Sequence, residues 1–296
     1  MVCKFWNYQI SGQDGVKLFT SILQEHKGFG KQIFLLSKNE LIKTYKGAVI
    51  GPLWAVVKPA FTVFVYWFAF SVGIKKLRDV GVNLGGSEPF TVDFFTFMFI
   101  GIIPWFFIQD SIVQGAKTLR TNRQFITKVK FPVSTILTYT GLSRLYVHLF
   151  LTVIMYGYVI FYRVSGGMAP FTVYDLQFFL YCPLMFMFFL ALSWSTAPMA
   201  AFSKDFESLI VSVMSGIFWL SGIMYDSYSF TGFLKYAMLA NPINFFANGY
   251  RNCFLYNRWF FEYKTELLIF LAEFVVVFLL GIYNYNRLRK KLPDVL

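Results

Sequence analysis

The sequence predicts an all-α integral membrane protein whose chain crosses the membrane six times. Hydrophobic residues make up 57% of the 296 residues and charged residues only 14%, whereas soluble domains average about 45–50% and 25%. Aromatic residues reach 21%, which suits contact with lipid tails and headgroups better than one soluble core. Apolar stretches of about 20 residues, the length that spans a bilayer, recur along the chain.

Six stretches are apolar enough over sufficient length to be predicted spans. They cover residues 54–74, 94–113, 133–162, 178–201, 209–225 and 267–285. Residues 54–296 are therefore expected to form one transmembrane domain, preceded by a cytoplasmic segment at 1–53. No signal peptide is expected, because the first long apolar stretch begins after residue 50.

The distribution of Lys and Arg predicts that both chain ends lie in the cytoplasm. Seventeen of these residues flank one side of the spans: seven before residue 54, five after the second span, Lys204, and four in the C-terminal tail. Eight flank the other side, including Lys75, Lys76 and Arg78. The net charge of +12 then reflects membrane orientation, since a nucleic-acid surface would gather its cations on soluble elements.

Residues 30–51 alternate between apolar and polar side chains. The apolar ones recur at near-helical spacing, with lysines between them. This pattern predicts an amphipathic helix lying in the cytoplasmic interface of the membrane. An ordinary packed cytoplasmic helix is the alternative. The cations of this segment that are placed to meet phosphate groups or anionic lipid headgroups are Lys38, Lys43 and Lys46.

Residues 227–262 contain two short apolar stretches, at 230–240 and 243–255, separated by Asn241 and Pro242. Each is about ten residues long, which is too short to cross a bilayer. Pro242 disfavours helical backbone at Asn241, so a break is expected between the two stretches. A solvated loop explains the length of this segment equally well, but not its apolarity.

Motifs for nucleotide hydrolysis, metal binding and nucleophilic catalysis are missing from the sequence. Beside Gly30 and Lys31, Glu25 and Gln32 occupy positions where a phosphate-binding loop needs Gly and Ser or Thr. The two histidines, His26 and His148, and the three scattered cysteines give no metal-ligand spacing. The chain is therefore expected to be no enzyme and to hold no cofactor or metal.

Ionisable side chains inside predicted spans are candidates for function by default, because they are costly in lipid. The candidates are Lys58, Asp110, Arg144, His148 and Glu273. Arg144 and His148 are four residues apart and share a helix face, and Asp110 or Glu273 is a candidate counter-charge for Arg144. A structural ion pair that packs the helices is the alternative.

The connection after the second span, residues 115–130, is basic, contains no acid and also carries apolar side chains. Because the chain has no nucleotide site, any energy-driven function requires a cytoplasmic contact with another protein, and this is the longest predicted cytoplasmic connection. The predicted contact residues are Leu119, Arg120, Asn122, Arg123, Phe125, Ile126 and Lys128. Orientation in the membrane alone is the alternative explanation of its charge.

Several runs of the sequence resemble the membrane subunit of type-2 ABC exporters of polyprenyl-linked polymers. They are residues 43–54 (KTYKGAVIGPLW), 103–107 (IPWFF), 131–134 (FPVS), 241–244 (NPIN) and 249–251 (GYR). Two further runs, 66–70 (YWFAF) and 145–149 (LYVHL), resemble the wall teichoic acid branch of this family. The resemblance extends from about residue 38 to the C-terminus.

The resemblance implies a homodimer joined to two ATPase subunits, which bind ATP and Mg²⁺, in the bacterial cytoplasmic membrane. It implies a polyprenyl-pyrophosphate-linked glycopolymer as cargo, with wall teichoic acid as the expected polymer and O-antigen, capsule or rhamnose-rich polysaccharide as alternatives. It also implies that residues 115–130 form a coupling helix seated in a cleft of the ATPase. A membrane scaffold or a lipid-modifying enzyme is the more distant alternative.

The resemblance further implies two re-entrant helices before the last span, and the residues singled out there are Asn241, Pro242, Tyr250 and Arg251. A glycopolymer needs a passage lined by flat amphipathic side chains, because Trp and Tyr stack on sugar rings and still offer a hydrogen bond. The candidates for such a passage are Tyr66, Trp67, Trp105, Tyr139 and Tyr146. Packing or lipid contact is the alternative role for each of them.

Overall fold

The structure is a computed structural model that describes residues 15–73, 79–82, 84, 90–129 and 131–296. Residues 1–14 of the predicted cytoplasmic segment lie outside the described residues. The same holds for four of the cations that flank the predicted spans: Lys75, Lys76, Arg78 and Lys130. The described part of the chain is mostly helical. Its helices, in chain order, are α1 (Gly15–His26), α2 (Gly30–Tyr45), α3 (Trp54–Trp67), α4 (Phe94–Thr121), α5 (Arg123–Thr127), α6 (Val133–Ser165), α7 (Phe178–Phe202), α8 (Lys204–Trp219), α9 (Gly232–Leu239), α10 (Pro242–Arg251), α11 (Lys264–Leu288) and α12 (Leu292–Val295).

Five helical segments among the described residues are long and apolar enough to cross a membrane. They are Gly51–Gly73, Phe94–Thr121, Val133–Ser165, Val173–Phe202 and Lys264–Val295. They coincide with the first, second, third, fourth and last predicted spans. The second span extends past its predicted end at residue 113, because the polar residues that follow continue the same helix as far as Thr121.

The fifth predicted span, residues 209–225, differs from the structure in both its limits. Helix α8 begins at Lys204, where the Ser203 hydroxyl accepts a hydrogen bond from the Phe206 amide and caps the helix. The helix ends at Trp219 after 16 residues, and the chain then turns, with Gly222 at a positive φ of 21°. Helix α8 is therefore shorter than the roughly 20 residues that a spanning helix needs.

Two short strands add a β-hairpin to a fold predicted to be entirely helical. Strands β1 (Asp79–Val82) and β2 (Phe90–Asp93) pair antiparallel, with Val80 opposite Val92. The valines of this pair are buried and their neighbours along each strand are exposed, which is the period-2 pattern of a sheet with one covered face. A search for long apolar stretches does not detect this pattern, so the all-α prediction is wrong at this hairpin.

Helix α4 lies at the centre of the bundle and packs on α6, α7, α8 and α10. At one end of the bundle, which we call the basic end, α1, α5 and α12 gather beside the start of α6 and the end of α11. At the other end, the hairpin end, Phe90 of β2 contacts Tyr256 in the segment after α10, and this segment is hydrogen-bonded to Arg163 of α6 and to Thr172 in the loop between α6 and α7. The predicted break at 241–242 is confirmed, since the Asn241 side chain caps α10 and Pro242 is its first residue.

Candidate functional site

Three polar side chains are exposed on one stretch of the central helix α4, within the segment Phe94–Thr121 that is long and apolar enough to cross a membrane. They are Gln109, Asp110 and Gln114. Lys58 of α3 is exposed as well, and Asp110 is close enough to Lys58 and to Arg144 of α6 to interact favourably with both charges. Polar and charged groups in a membrane helix face a water-filled space, a partner or a polar ligand, because exposure to hydrocarbon is costly.

Helix α8 carries a second polar stripe, formed by Ser208, Ser212 and Ser215. Their spacing places them on one face of the helix, and each hydroxyl donates to the backbone carbonyl four residues earlier. Trp219 continues the same face and its ring contacts Tyr66 of α3, with 6.0 Å between centroids. Helices α3 and α8 both pack on α4, and we call the exposed polar residues of these three helices together the polar face: Lys58, Gln109, Asp110, Gln114, Ser208, Ser212 and Ser215.

Arg144 lies beside this polar face on the inner side of α6. Its guanidinium donates a hydrogen bond of 3.0 Å to the Thr118 hydroxyl of α4. Of the two predicted counter-charges, Asp110 is an electrostatic neighbour of Arg144. Glu273 lies elsewhere, half-buried on α11.

The segment predicted to be an amphipathic helix is helical from Gly30 to Tyr45, as α2, which packs along α6. Its position in the membrane interface stays a prediction. Its Ser37 hydroxyl is hydrogen-bonded to the Tyr146 hydroxyl of α6 at 3.0 Å, and Phe34 packs edge-on against the Tyr146 ring. The three lysines predicted to meet phosphate or headgroups, Lys38, Lys43 and Lys46, are all exposed.

The five aromatic residues predicted to line a passage fall into different environments. Tyr66 and Trp67 are half-buried at the contact of α3 with α8 and α4, where Tyr66 stacks on Phe218 at 5.2 Å. Tyr146 is half-buried against α2. Trp105 and Tyr139 are only 4% and 2% exposed, so in this conformation they pack inside the chain.

The predicted coupling connection is the last turns of α4 followed by the short helix α5. Its apolar residues Leu119 and Ile126 are buried in the chain's own core, as is Asn122. Phe125 is half-buried and contacts the rings of Phe131 and Tyr139. The side chains free to meet another protein are therefore different from the apolar anchors that the sequence suggested.

Of the charged residues of this connection, one makes contacts within the chain and two are exposed. Arg120 donates to the Glu207 carboxylate of α8 and to the Ala200 carbonyl, so it holds α4, α7 and α8 together. Arg123 and Lys128 are exposed at the basic end of the bundle.

His148 and Tyr250 meet in the core, where the imidazole Nε2 lies 2.6 Å from the phenolic oxygen. This contact joins α6 to α10. A buried, hydrogen-bonded histidine of this kind packs helices together, which agrees with the structural alternative named for the intramembrane groups.

Arg251 is fully buried at the end of α10, which the sequence did not indicate. Its guanidinium donates to the backbone carbonyls of Phe97, Gly222 and Ile223, at 3.3, 2.7 and 2.7 Å. Gly101 allows this position, because a Cβ atom there would lie 2.3 Å from an Arg251 nitrogen. A Gly-Tyr-Arg run does not reveal these partners, since they are 28 to 154 residues away along the chain.

Comparison with known proteins shows which proteins this chain is similar to. A family model described as "ABC-2 type transporter" matches residues 31–255. An O-antigen export system permease protein RfbA of Myxococcus xanthus is 24% identical over 206 residues, which cover 69% of this chain and 70% of that protein. A protein of the same name from Klebsiella pneumoniae is 21% identical over 266 residues, covering 89% of this chain and 94% of the relative.

Proposed function

Because the chain belongs to the ABC-2 type transporter family, whose members are membrane permease subunits and not enzymes, we propose that it exports a polyprenyl-pyrophosphate-linked glycopolymer. It is a multi-pass membrane protein that works with an ABC ATPase on a polysaccharide substrate. We propose two copies of the permease and two of the ATPase, with ATP and Mg²⁺ bound by the ATPase.

The polar face of α3, α4 and α8 is the observation that carries this proposal. A glycopolymer presents many hydroxyl groups, and the amides of Gln109 and Gln114 and the serines of α8 can exchange hydrogen bonds with them. The aromatic contact of Tyr66 with Phe218 and Trp219 lies where α3 meets α8 at the hairpin end. In the proposed homodimer, this face of one copy and that of the second enclose the passage, and the contact opens as the polymer moves.

The pyrophosphate of the cargo needs cations near the membrane surface. Lys38, Lys43 and Lys46 of α2 are exposed and suit the first contact with a phosphate group. Lys58 follows next along the chain, where Asp110 balances its charge. We therefore propose that the pyrophosphate passes from α2 to Lys58, while the polyprenyl tail stays in lipid.

Two candidate cargoes remain in this proposal. Wall teichoic acid is supported by the runs at 66–70 and 145–149, which resemble that branch of the family. O-antigen-type polysaccharide is supported by the names of the relatives from Myxococcus xanthus and Klebsiella pneumoniae.

The proposed topology has six crossings, with the basic end in the cytoplasm. Helix α8 and the turn after it form one crossing in addition to the five long helical segments, and α9 and α10 enter the outer leaflet without crossing it. The cations exposed at the basic end support this orientation.

The proposed function is tested by purifying the permease from membranes together with its ATPase and reconstituting both in liposomes. We expect ATP-dependent movement of a polyprenyl-pyrophosphate-linked glycopolymer across the bilayer. Separate trials with teichoic acid and O-antigen cargoes distinguish the two candidates. A complex that assembles and hydrolyses ATP but moves neither cargo would refute the proposal.

A further inference from the structure

Helix α1 lies outside residues 31–255, which match the family model, yet its Glu25 carboxylate joins three parts of the chain. It accepts hydrogen bonds from the Ser134 amide at 3.2 Å and from the Ser134 hydroxyl at 2.5 Å. It also accepts one from the Tyr285 hydroxyl at 2.5 Å and is ion-paired with Arg289. Both of its oxygens are therefore used.

The partners of Glu25 lie on two different membrane-spanning segments, at the start of α6 and at the end of α11. Ser134 is the second residue of α6, directly after the connection that contains α5. Tyr285 lies in the last turn of the spanning helix α11, and Arg289 follows that helix. The Glu25 carboxylate thus connects the start of the third span with the end of the last span. Ser134 and Tyr285 are 109 and 260 residues away from Glu25 along the chain.

Neighbouring side chains of α1 make the same two connections. The His26 Nε2 atom lies 2.8 Å from the Thr138 hydroxyl of α6, and the Ser21 hydroxyl donates to Asn286 of α11 at 2.9 Å. Ile22 is 2% exposed and packs in the core cluster that contains Tyr285. The second half of helix α1, residues 21–26, is therefore fixed to both spans.

A chain of aromatic contacts extends this assembly to helix α5. Phe29, which directly precedes α2, packs edge-on against Phe131 with 5.2 Å between ring centroids. Phe131 in turn contacts Phe125 of α5 at 6.0 Å. A displacement of α5 therefore acts on the segment that carries α1, as well as on the start of α6.

We propose that α1 is a brace that transmits movement of α5 to the last span through Glu25, where α5 is the helix that the family resemblance implies to contact the ATPase. Charge-assisted hydrogen bonds are stronger and more directional than neutral ones, and the Glu25 and Arg289 side chains are only 20% and 16% exposed. The brace makes α5, α6 and α11 move as one body at the basic end. This inference rests on the proposed function, because it assigns the energy input to α5.

The test uses the full permease–ATPase complex in liposomes, with Glu25→Gln and Arg289→Gln singly and combined. Gln24→Ala, at an exposed neighbouring position of α1, is the control. We expect Glu25→Gln to assemble with the ATPase and to keep its basal ATP hydrolysis. Stimulation of hydrolysis by a synthetic polyprenyl-pyrophosphate-linked disaccharide should fall about fivefold or more.

The combined variant should be no worse than Glu25→Gln alone, because Arg289 acts through its ion pair with Glu25. Glu25→Asp, which retains the charge, should recover part of the stimulation. Full stimulation in Glu25→Gln would overturn the brace. A parallel loss of assembly, basal hydrolysis and stimulation in Glu25→Gln and Glu25→Asp would also overturn it, since that result shows only a folding role.

A distance measurement separates failure of the brace from failure of the proposed function. Spin labels at Lys128 and Arg287, both exposed at the basic end, report the separation of α5 and α11. If α1 acts as a brace, adding nucleotide should leave the distance between the two labels unchanged in the wild-type complex. In Glu25→Gln, adding nucleotide should change this distance. A separation that changes equally in both would overturn the brace, whatever the cargo is.

Discussion

The guanidinium carbon of Arg251 lies 3.6 Å from the centroid of the Phe97 ring, in the buried core of the bundle. The same guanidinium donates to carbonyls of α4 and of the turn after α8. Arg251 therefore holds α10 against both elements by satisfying backbone groups that the irregular turn leaves without helix partners.

Gly101→Ala should destabilise the protein, because its Cβ atom would displace the Arg251 guanidinium from this position. We expect the free energy of unfolding to fall by about 1–3 kcal/mol, measured by thermal unfolding in detergent. Gly157→Ala on α6 is the matched control, since a Cβ atom there has no neighbour within 4 Å. Equal stability of the two variants would show that the close approach of Arg251 to α4 is wrong.

Asp175→Asn should destabilise the hairpin end strongly. Asp175 accepts two hydrogen bonds from the Arg163 guanidinium, at 2.8 and 2.9 Å, and these side chains are 11% and 5% exposed. Removing one charge of a buried pair costs about 3–5 kcal/mol, because the other charge stays buried without compensation. The measurement is again thermal unfolding in detergent.

Glu262→Gln is the control for that measurement. Glu262 pairs with Arg258 at 2.9 Å, but these side chains are 33% and 32% exposed. The Trp259 amide and the Arg258 guanidinium hold the pKa of Glu262 below its ordinary value, so the carboxylate is charged at neutral pH. We expect a cost below about 1 kcal/mol, and a cost as large as that of Asp175→Asn would contradict the burial argument.

Reversing the charges of Arg123 and Lys128 should weaken binding of the ATPase. Arg123 is the first residue of α5 and Lys128 directly follows the helix. Both side chains are exposed, so their replacement by Glu leaves the core of the permease intact. We expect at least about a tenfold loss of affinity that narrows as ionic strength rises, measured by pull-down at several salt concentrations. Lys235→Glu on α9, at the other end of the bundle, should bind normally, and a loss of binding there would place the ATPase contact elsewhere.

Single cysteines should report the orientation of the two ends of the bundle. Cysteines at Lys128 and Lys290 should be protected from an impermeant thiol reagent in intact cells, and one at the exposed Met168 should react. Met168 is preferred to Asp175 of the same loop, because a substitution at Asp175 breaks its pair with Arg163. Reaction at Lys128 from outside would reverse the proposed topology.

The sequence predicted the features that depend on local composition. Five spans were found because each is a continuous apolar stretch, and Asp110 and Arg144 stood out because charge is rare within such stretches. The break at Asn241 and Pro242 was predictable because proline restricts the residue before it.

Contacts between residues that are far apart along the chain could not be predicted from local composition. The contacts of Glu25 could not be predicted from the sequence, since its partners Ser134 and Tyr285 are 109 and 260 residues away. The burial of Leu119 and Ile126 was missed for the same reason. An apolar side chain in a basic connection is equally suited to a partner protein and to the chain's own core, and only packing decides between them.

The central claim, that the polar face contacts the exported glycopolymer, is tested most directly by photo-crosslinking in cells. A photoreactive amino acid at Gln109 of α4 is compared with one at Val153, which is 69% exposed on the apolar surface of α6. During export, Gln109 should capture the glycopolymer and Val153 should capture phospholipid alone. Capture of phospholipid alone at Gln109 as well would contradict the claim.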